Sequence, residues 1–254
     1  MNKKLNIKFI GTGSGKTSLK RFHSSVIFSD SDYNLLVDAG DGISKALLVQ
    51  NIPYNSINGI LFTHLHPDHF SGFASLIVQM KMSKRKEPLS VFVHHTLVKT
   101  LMDFLHSSYI FKDRLDFSFE YKGFDFGKEI SVYSGLSFIS RQNTHFREHE
   151  RIDPSLSYAC GSFIFKTGSK NIYYSGDVGS ADDLFLFKDF RINILITEST
   201  HVNINEILNI SDKLNPDKIV LTHLGDEDLS GSISKIKKIK DDLLIAEDGL
   251  ILSV

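Results

Sequence analysis

The sequence predicts an α/β protein of two packed β-sheets with helices on their outer faces, in one domain spanning residues 1–254. Three observations carry this. Short apolar runs alternate with amphipathic stretches along the whole chain. Only five prolines occur and no Gly/Ser/Pro-rich tract interrupts the alternation, so nothing marks a linker. Ionisable residues recur directly after the apolar runs, at the carboxyl ends of strands, where α/β proteins usually place chemistry. A hydrophobic content of 41% with 20 Phe is ample for a sizeable core.

In chain order, short apolar runs predict strands at residues 6–10, 25–28 and 34–38, followed by a helix over 41–50. A strand at 59–62 leads to a helix over 70–83, and a strand at 89–93 to a helix over 95–105. Residues 106–128, rich in Phe and charge, fit neither pattern and are expected to protrude. Strands at 136–140, 158–166 and 171–175 come next, then a helix over 181–187 and a strand at 194–197. A helix over 204–214, a strand at 218–221, a helix over 230–240 and a strand at 250–253 complete the chain. No short tandem repeat appears.

The most informative segment is His64-Leu65-His66-Pro67-Asp68-His69, which follows the strand run Gly59-Ile60-Leu61-Phe62-Thr63. His64 and His66 are two apart, so in extended backbone both imidazoles leave one face. Asp68 and His69, adjacent in the turn, can address a second centre, a geometry that suits two metals better than one. A solvated turn has no reason to concentrate imidazoles, and a core has no room for an unpaired carboxylate. His145, Asp177 and His223 each lie just after a predicted strand, bringing the candidate ligands to seven. Singly they are ambiguous, because a strand-end Asp is as often a turn cap.

Composition excludes several classes. The net charge of −1 creates no field that recruits nucleic acid. The basic runs at 81–86 and 235–240 read as solvated helix faces. With Cys160 alone there is no disulfide framework and no thiolate cluster. No signal-like or membrane-length apolar run appears, so a soluble, cytoplasmic protein without membrane contact is expected. Gly11-Thr12-Gly13-Ser14-Gly15-Lys16-Thr17 suggests a P-loop, but that pattern requires glycine where Ile10 stands. A tight turn bringing backbone near the site is the better reading, with Lys16, Lys20 and Arg21 as optional contacts to an anionic substrate.

The ordered set His64, His66, Asp68, His69, His145, Asp177 and His223 resembles the metallo-β-lactamase superfamily over nearly the whole chain. Gly11-Thr12-Gly13-Ser14, Val37-Asp38-Ala39-Gly40-Asp41-Gly42 and Glu247-Asp248-Gly249 belong to the same resemblance. It implies an αββα sandwich of two mixed sheets binding two divalent metal ions, zinc first, with manganese or iron as alternatives. His64, His66 and His145 would hold one ion, Asp68, His69 and His223 the other, and Asp177 would bridge them together with a hydroxide.

His201 narrows the branch. It follows Glu198-Ser199-Thr200 and lies 22 positions before His223, which resembles the ribonuclease Z-like phosphodiesterases. Those enzymes keep a catalytic His at a corresponding distance, preceded by a Glu-x-Thr element. Here the two are adjacent, a departure that bears on Glu198 more than on His201. The resemblance implies His201 as general acid with Glu198 beside it, and Asp68 orienting the nucleophile as well as binding metal. Ribonuclease Z carries a long tRNA-gripping arm between its third and fourth ligand motifs, and the 32 positions from His145 to Asp177 leave no room for it. The sequence therefore looks most like the compact cyclic-nucleotide phosphodiesterases of the anti-Pycsar type. Their implied substrate is a small nucleotide, with tRNA the less favoured partner, and their implied state a homodimer. Three alternatives stand beside this: an armless tRNA 3′-processing endonuclease, a lactone or thioester hydrolase that would not need His201, and a non-catalytic metal-binding scaffold. His23, His94, His95, His106 and His149 fill no ligand slot, although His94 and His95 could line the cleft.

Overall fold

The computed structural model describes residues 5–30, 32–226 and 243–254. The expected helix over 230–240, with its basic run, lies outside the described residues. Two seven-stranded sheets pack face to face. The first contains β1 (Asn6–Gly11), β2 (Ser25–Ser29), β3 (Asn34–Val37), β4 (Gly59–Leu61), β5 (Leu89–His94), β6 (Phe119–Phe124) and β14 (Ile251–Ser253), in spatial order β14-β1-β2-β3-β4-β5-β6. The second contains β7 (Glu129–Tyr133), β8 (Leu136–Gln142), β9 (Gly161–Thr167), β10 (Lys170–Tyr174), β11 (Ile194–Glu198), β12 (Lys218–Thr222) and β13 (Leu243–Ile245), in order β13-β12-β11-β10-β9-β8-β7. Both are mixed. In the first, β3 to β6 run parallel, and in the second β10 to β13 do.

Side-chain alternation explains the layering. In β5, Phe92 faces the opposite sheet while Val91 and Val93 face the helices. Phe28 stacks on Phe165 across the sandwich with ring centres 4.2 Å apart, at the middle of an aromatic inner core. On the outer side of the first sheet lie α1 (Ile43–Val49), α3 (Phe73–Met82) and α4 (Val98–Ser107). On the second lies α5 (Ile204–Leu214), begun by an Asn203/Glu206 capping box and ended by Asn215 in the left-handed conformation.

Several elements differ from expectation. The helix expected over 70–83 is two helices, α2 (Pro67–Phe70) and α3. The His69 carbonyl accepts from Ala39 N at 2.7 Å and so leaves the helical ladder. Gly72 packs against the Gly40 carbonyl so closely that a Cβ there would sit 2.1 Å from it. Residues 106–128 do not form a separate protrusion: they finish α4, make a 3-10 turn and supply edge strand β6. Its Glu120 and Lys122 are paired across solvent, which hid the strand from a search for apolar runs. The helix expected over 181–187 is a 3-10 turn, Ala181–Phe185, and the strand expected from 158 begins at Gly161.

Candidate metal centre

All seven predicted ligands converge at one end of the sandwich, each after the carboxyl end of a strand, Asp68 and His69 within α2 and the others on loops. β4 leads to His64, His66, Asp68 and His69, β8 to His145, β10 to Asp177 and β12 to His223. His64, His66, His145 and Asp177 can each offer an atom within 4.8 Å of the others, as can Asp68, His69, Asp177 and His223. Asp177 belongs to both groups. The expected shared face of His64 and His66 is present, with ring centres 4.9 Å apart and His145 5.2 and 4.9 Å from them. In the second group, Nε2 of His223 lies 3.3 Å from both Asp68 Oδ2 and Asp177 Oδ2, and Nε2 of His69 lies 3.2 Å from Asp177 Oδ1.

These residues fit divalent ions. Nε2 of His64, Nε2 of His69 and Oδ1 of Asp177 are buried without a hydrogen-bond partner among the described residues. Orphaned buried donors and acceptors are costly, and several facing one another are explained by a cation between them. An all-nitrogen-and-oxygen donor set suits zinc, manganese or iron. Electrostatics agree. Burial pushes the His64 imidazole well below its ordinary value, and burial, then His145, brings His66 down to about 4, so both keep free lone pairs near neutrality. Burial would lower His69 too, but Asp177 and Asp38 outweigh it and hold a proton there, as they would hold a cation. Burial opposes ionisation of Asp177, yet the charges of His223 and His69 keep it a carboxylate. Asp68 is likewise held ionised against its burial by the hydrogen bond from His223 and by the neighbouring His69 imidazole.

A supporting layer was not assigned from sequence. Asp38, buried with φ of 62°, takes Thr63 N on Oδ1 at 2.8 Å and Nδ1 of His69 on Oδ2 at 2.8 Å. That bond fixes the tautomer that points Nε2 of His69 at the centre. Asn143 accepts from His145 N at 3.1 Å and donates to the Asp177 carbonyl at 2.8 Å. Asp183 takes Thr144 N, Thr144 Oγ1 and Gly179 N, binding the His145 loop to the Asp177 loop. The only sequence signal was Asp38 within its Asp-x-Gly turn. Asn143 and Asp183 look like ordinary loop residues.

Glu198 is 1% exposed and His201 38% exposed. The carboxylate of Glu198 takes backbone N–H groups of Val178, Thr200 and His201 at 2.8 to 3.0 Å, and Nδ1 of His201 at 2.7 Å. The His201 ring therefore turns Nε2 away from Glu198, and its centre lies 5.0 Å from that of His145 and 6.1 Å from that of His223. The hydrogen bond to Glu198 raises the His201 imidazole above its ordinary value despite partial burial.

The glycine segment makes no nucleotide-binding loop, because no helix follows it. Instead Gly13 bridges His23 and Leu224, and a Cβ on Gly15 would sit 3.2 Å from Asp68 Oδ2, so this turn lies against the ligands. Nη1 of Arg21 donates to Thr12 Oγ1 at 2.6 Å and to the Ala246 carbonyl at 2.9 Å, tying this turn to the closing segment of the chain.

The family model described as Anti-Pycsar protein Apyc1 matches residues 5–240. Anti-Pycsar protein Apyc1 of Bacillus phage BSP38 is 27% identical over 241 residues, covering 87% of this chain and 89% of its own. Ribonuclease Z of Archaeoglobus fulgidus is 23% identical over 302 aligned positions, covering 98% of this chain and 97% of its own. The crystal structure of the metallo-β-lactamase fold protein YhfI from Bacillus subtilis matches with a TM-score of 0.79 at 18% identity, over 99% of this chain and 100% of that one. The chain belongs to the anti-Pycsar Apyc1 family, metal-dependent phosphodiesterases built on the metallo-β-lactamase fold.

Proposed function

We propose that this protein hydrolyses a small phosphodiester, a 3′,5′-cyclic nucleotide, at a dinuclear centre held by His64, His66, His145, Asp68, His69, His223 and the shared Asp177. The observation that carries the reading is the Glu198–His201 pair at the edge of the ligand cluster. Bound divalent ions would polarise the phosphoryl oxygens and make water a competent nucleophile near neutral pH. Asp68, at the junction of His69 and His223, orients the attacking water. The bond from phosphorus to a ribose oxygen breaks, and that oxygen is a poor leaving group that needs a proton. His201 donates it, and Glu198 is a positioning residue that keeps the imidazole charged and turned toward the substrate. The reading takes zinc as the resident ion, a homodimer as the working form and the cytoplasm as the compartment.

Size supports the small substrate. The alignment with the archaeal ribonuclease Z runs over more positions than this chain has residues, so that enzyme carries insertions absent here. The segment from His145 to Asp177 is a loop and the hairpin of β9 and β10, with no arm to grip a tRNA. Product analysis decides the question. Zinc-loaded protein is mixed separately with 3′,5′-cyclic nucleotides and with a precursor tRNA, using Asp68→Ala as the blank. Opening of the cyclic phosphate with intact tRNA is expected. Cleaved tRNA with untouched cyclic nucleotides overturns the proposal in favour of an RNA-processing nuclease.

A further inference from the structure

Apart from the seven ligands, another group of metal-ligating side chains stands at the edge of the first sheet. β5 and β6 run parallel with His94 opposite Phe124, so His95 and Asp125 leave neighbouring strand ends side by side. Gly123 lets them meet: a Cβ there would sit 3.2 Å from both Cα and Cβ of His95, so the chain after β5 lies directly against β6. In a continuous strand, His94 and His95 would point to opposite faces. The chain instead turns into a 3-10 helix at His95, and the two rings come together with centres 4.5 Å apart. Nδ1 of His95 lies 2.8 Å from Asp125 Oδ1. His94, His95 and Asp125 can each offer an atom within 4.8 Å of the others, and none of the three belongs to the groups that share Asp177.

The donors are held in place by their neighbours. The His94 ring stacks on Phe126 with centres 4.4 Å apart, and Thr96 Oγ1 lies 2.9 Å from its Nδ1. Burial, then the adjacent His95, keeps His94 below its ordinary value, so at neutral pH the ring is in the uncharged form that binds metal. Lys128 donates to Asp125 Oδ2 at 2.6 Å, holding the carboxylate ionised and leaving Oδ1 toward His95. Metal-bound carboxylates are commonly steadied in this way. The same ammonium repels a cation, an effect that solvent screens because Lys128 is exposed. Two imidazoles and one carboxylate suit a divalent transition ion such as zinc, with water completing its coordination. We infer that His94, His95 and Asp125 form a further zinc-binding site, separate from the hydrolytic centre and exchangeable because it is open to solvent. Its position gives it a task. β6 is the last strand of the first sheet, and residues 125–128 carry the chain across to β7 of the second. An ion shared by Asp125 and the end of β5 fastens that crossing.

Zinc titration tests the site without reading turnover. Protein loaded with zinc and then freed of excess keeps its tightly held ions. Calorimetric titration with further zinc should show one additional ion per chain, and the thermal midpoint should rise as that ion binds. His95→Ala and Asp125→Ala, both at exposed side chains beyond the strand ends, should each weaken the additional ion by about tenfold or more. Elemental analysis before the titration should find the tightly held ions unchanged in both variants. Absence of further binding would reduce His95 and Asp125 to a surface ion pair and overturn the site. An additional ion held equally well by both variants would overturn it too, by placing that ion elsewhere. Binding that both variants weaken, but that leaves the wild-type midpoint unmoved, would overturn the fastening role.

Discussion

At the rim of the ligand cluster, the hydrogen bond from Nδ1 of His201 to Glu198 raises the affinity of this imidazole for a proton. If His201 supplies the leaving group's proton, His201→Ala should keep its metal but lose kcat by roughly 10²- to 10⁴-fold on a cyclic nucleotide. The loss should shrink on bis(p-nitrophenyl) phosphate, whose leaving group barely needs protonation; equal losses on both substrates would falsify the general-acid role. The pH dependence follows from the sign of the shift. A raised His201 is competent below its pKa and fails as pH rises through it. Glu198→Gln removes the main cause of the elevation, so the alkaline limb of the kcat/KM profile should move to lower pH, and an unmoved limb would assign that limb to another group. Asp38→Asn probes a different task. Asn tolerates the left-handed backbone at this position. With Thr63 N still donating to the remaining oxygen, the amide nitrogen would face His69 and push the imidazole proton onto Nε2. Zinc affinity, read by competition with a chromogenic chelator, should fall by about 10- to 100-fold.

At the scale of elements, the ligands are placed by close backbone contacts between loops. Gly40 lies under α2 so tightly that a Cβ would sit 1.8 Å from the Asp68 carbonyl oxygen. That atom belongs to the backbone and has no rotamer by which to yield. Gly40→Ala should therefore displace the turn that carries Asp68 and His69, at a cost of about 1 to 3 kcal/mol in stability. Calorimetry should show a lower midpoint, and metal titration should show the second group of ligands weakened more than the first. Retention of both wild-type affinities would mean that the turn is not held by this contact. The same crowding recurs where α2 meets α3, since a Cβ on Gly72 would sit 2.1 Å from the Gly40 carbonyl.

Over the whole molecule, the candidate ligands come from both halves of the sandwich: His64, His66, Asp68 and His69 follow a strand of the first sheet, while His145, Asp177 and His223 follow strands of the second. An ion shared between them binds the folded state and not the unfolded chain, so it stabilises by mass action. Removing metal with a strong chelator should lower the thermal midpoint, and restoring zinc should return it. One site held at 100 times its Kd contributes about 2.7 kcal/mol. Elemental analysis of the replete protein should find two ions per chain. A midpoint indifferent to chelation would mean that the hydrophobic layers alone hold the two halves together.

The local chemistry was legible because it is local. The donors of residues 64–69 sit within one turn, and His145, Asp177 and His223 follow apolar runs that pattern alone marks as strands. Short apolar runs likewise revealed the buried strands of both sheets, since a strand covered on both faces must be apolar. Edge strands β6 and β7 were hidden because one side faces solvent and tolerates charge, as at Glu120, Lys122 and Glu129. The Glu198–His201 bond spans three residues, but only folding buries Glu198 and fixes which ring nitrogen it takes. Other decisions were wholly tertiary: the Asp38 bond to His69, the Asp183 clamp between two loops and the bond from Arg21 to Thr12. Residue types and short periods specify which groups are available and on which face of an element they lie. Which group meets which across tens or hundreds of residues depends on how the two sheets pack, because burial and distance arise only when the layers close.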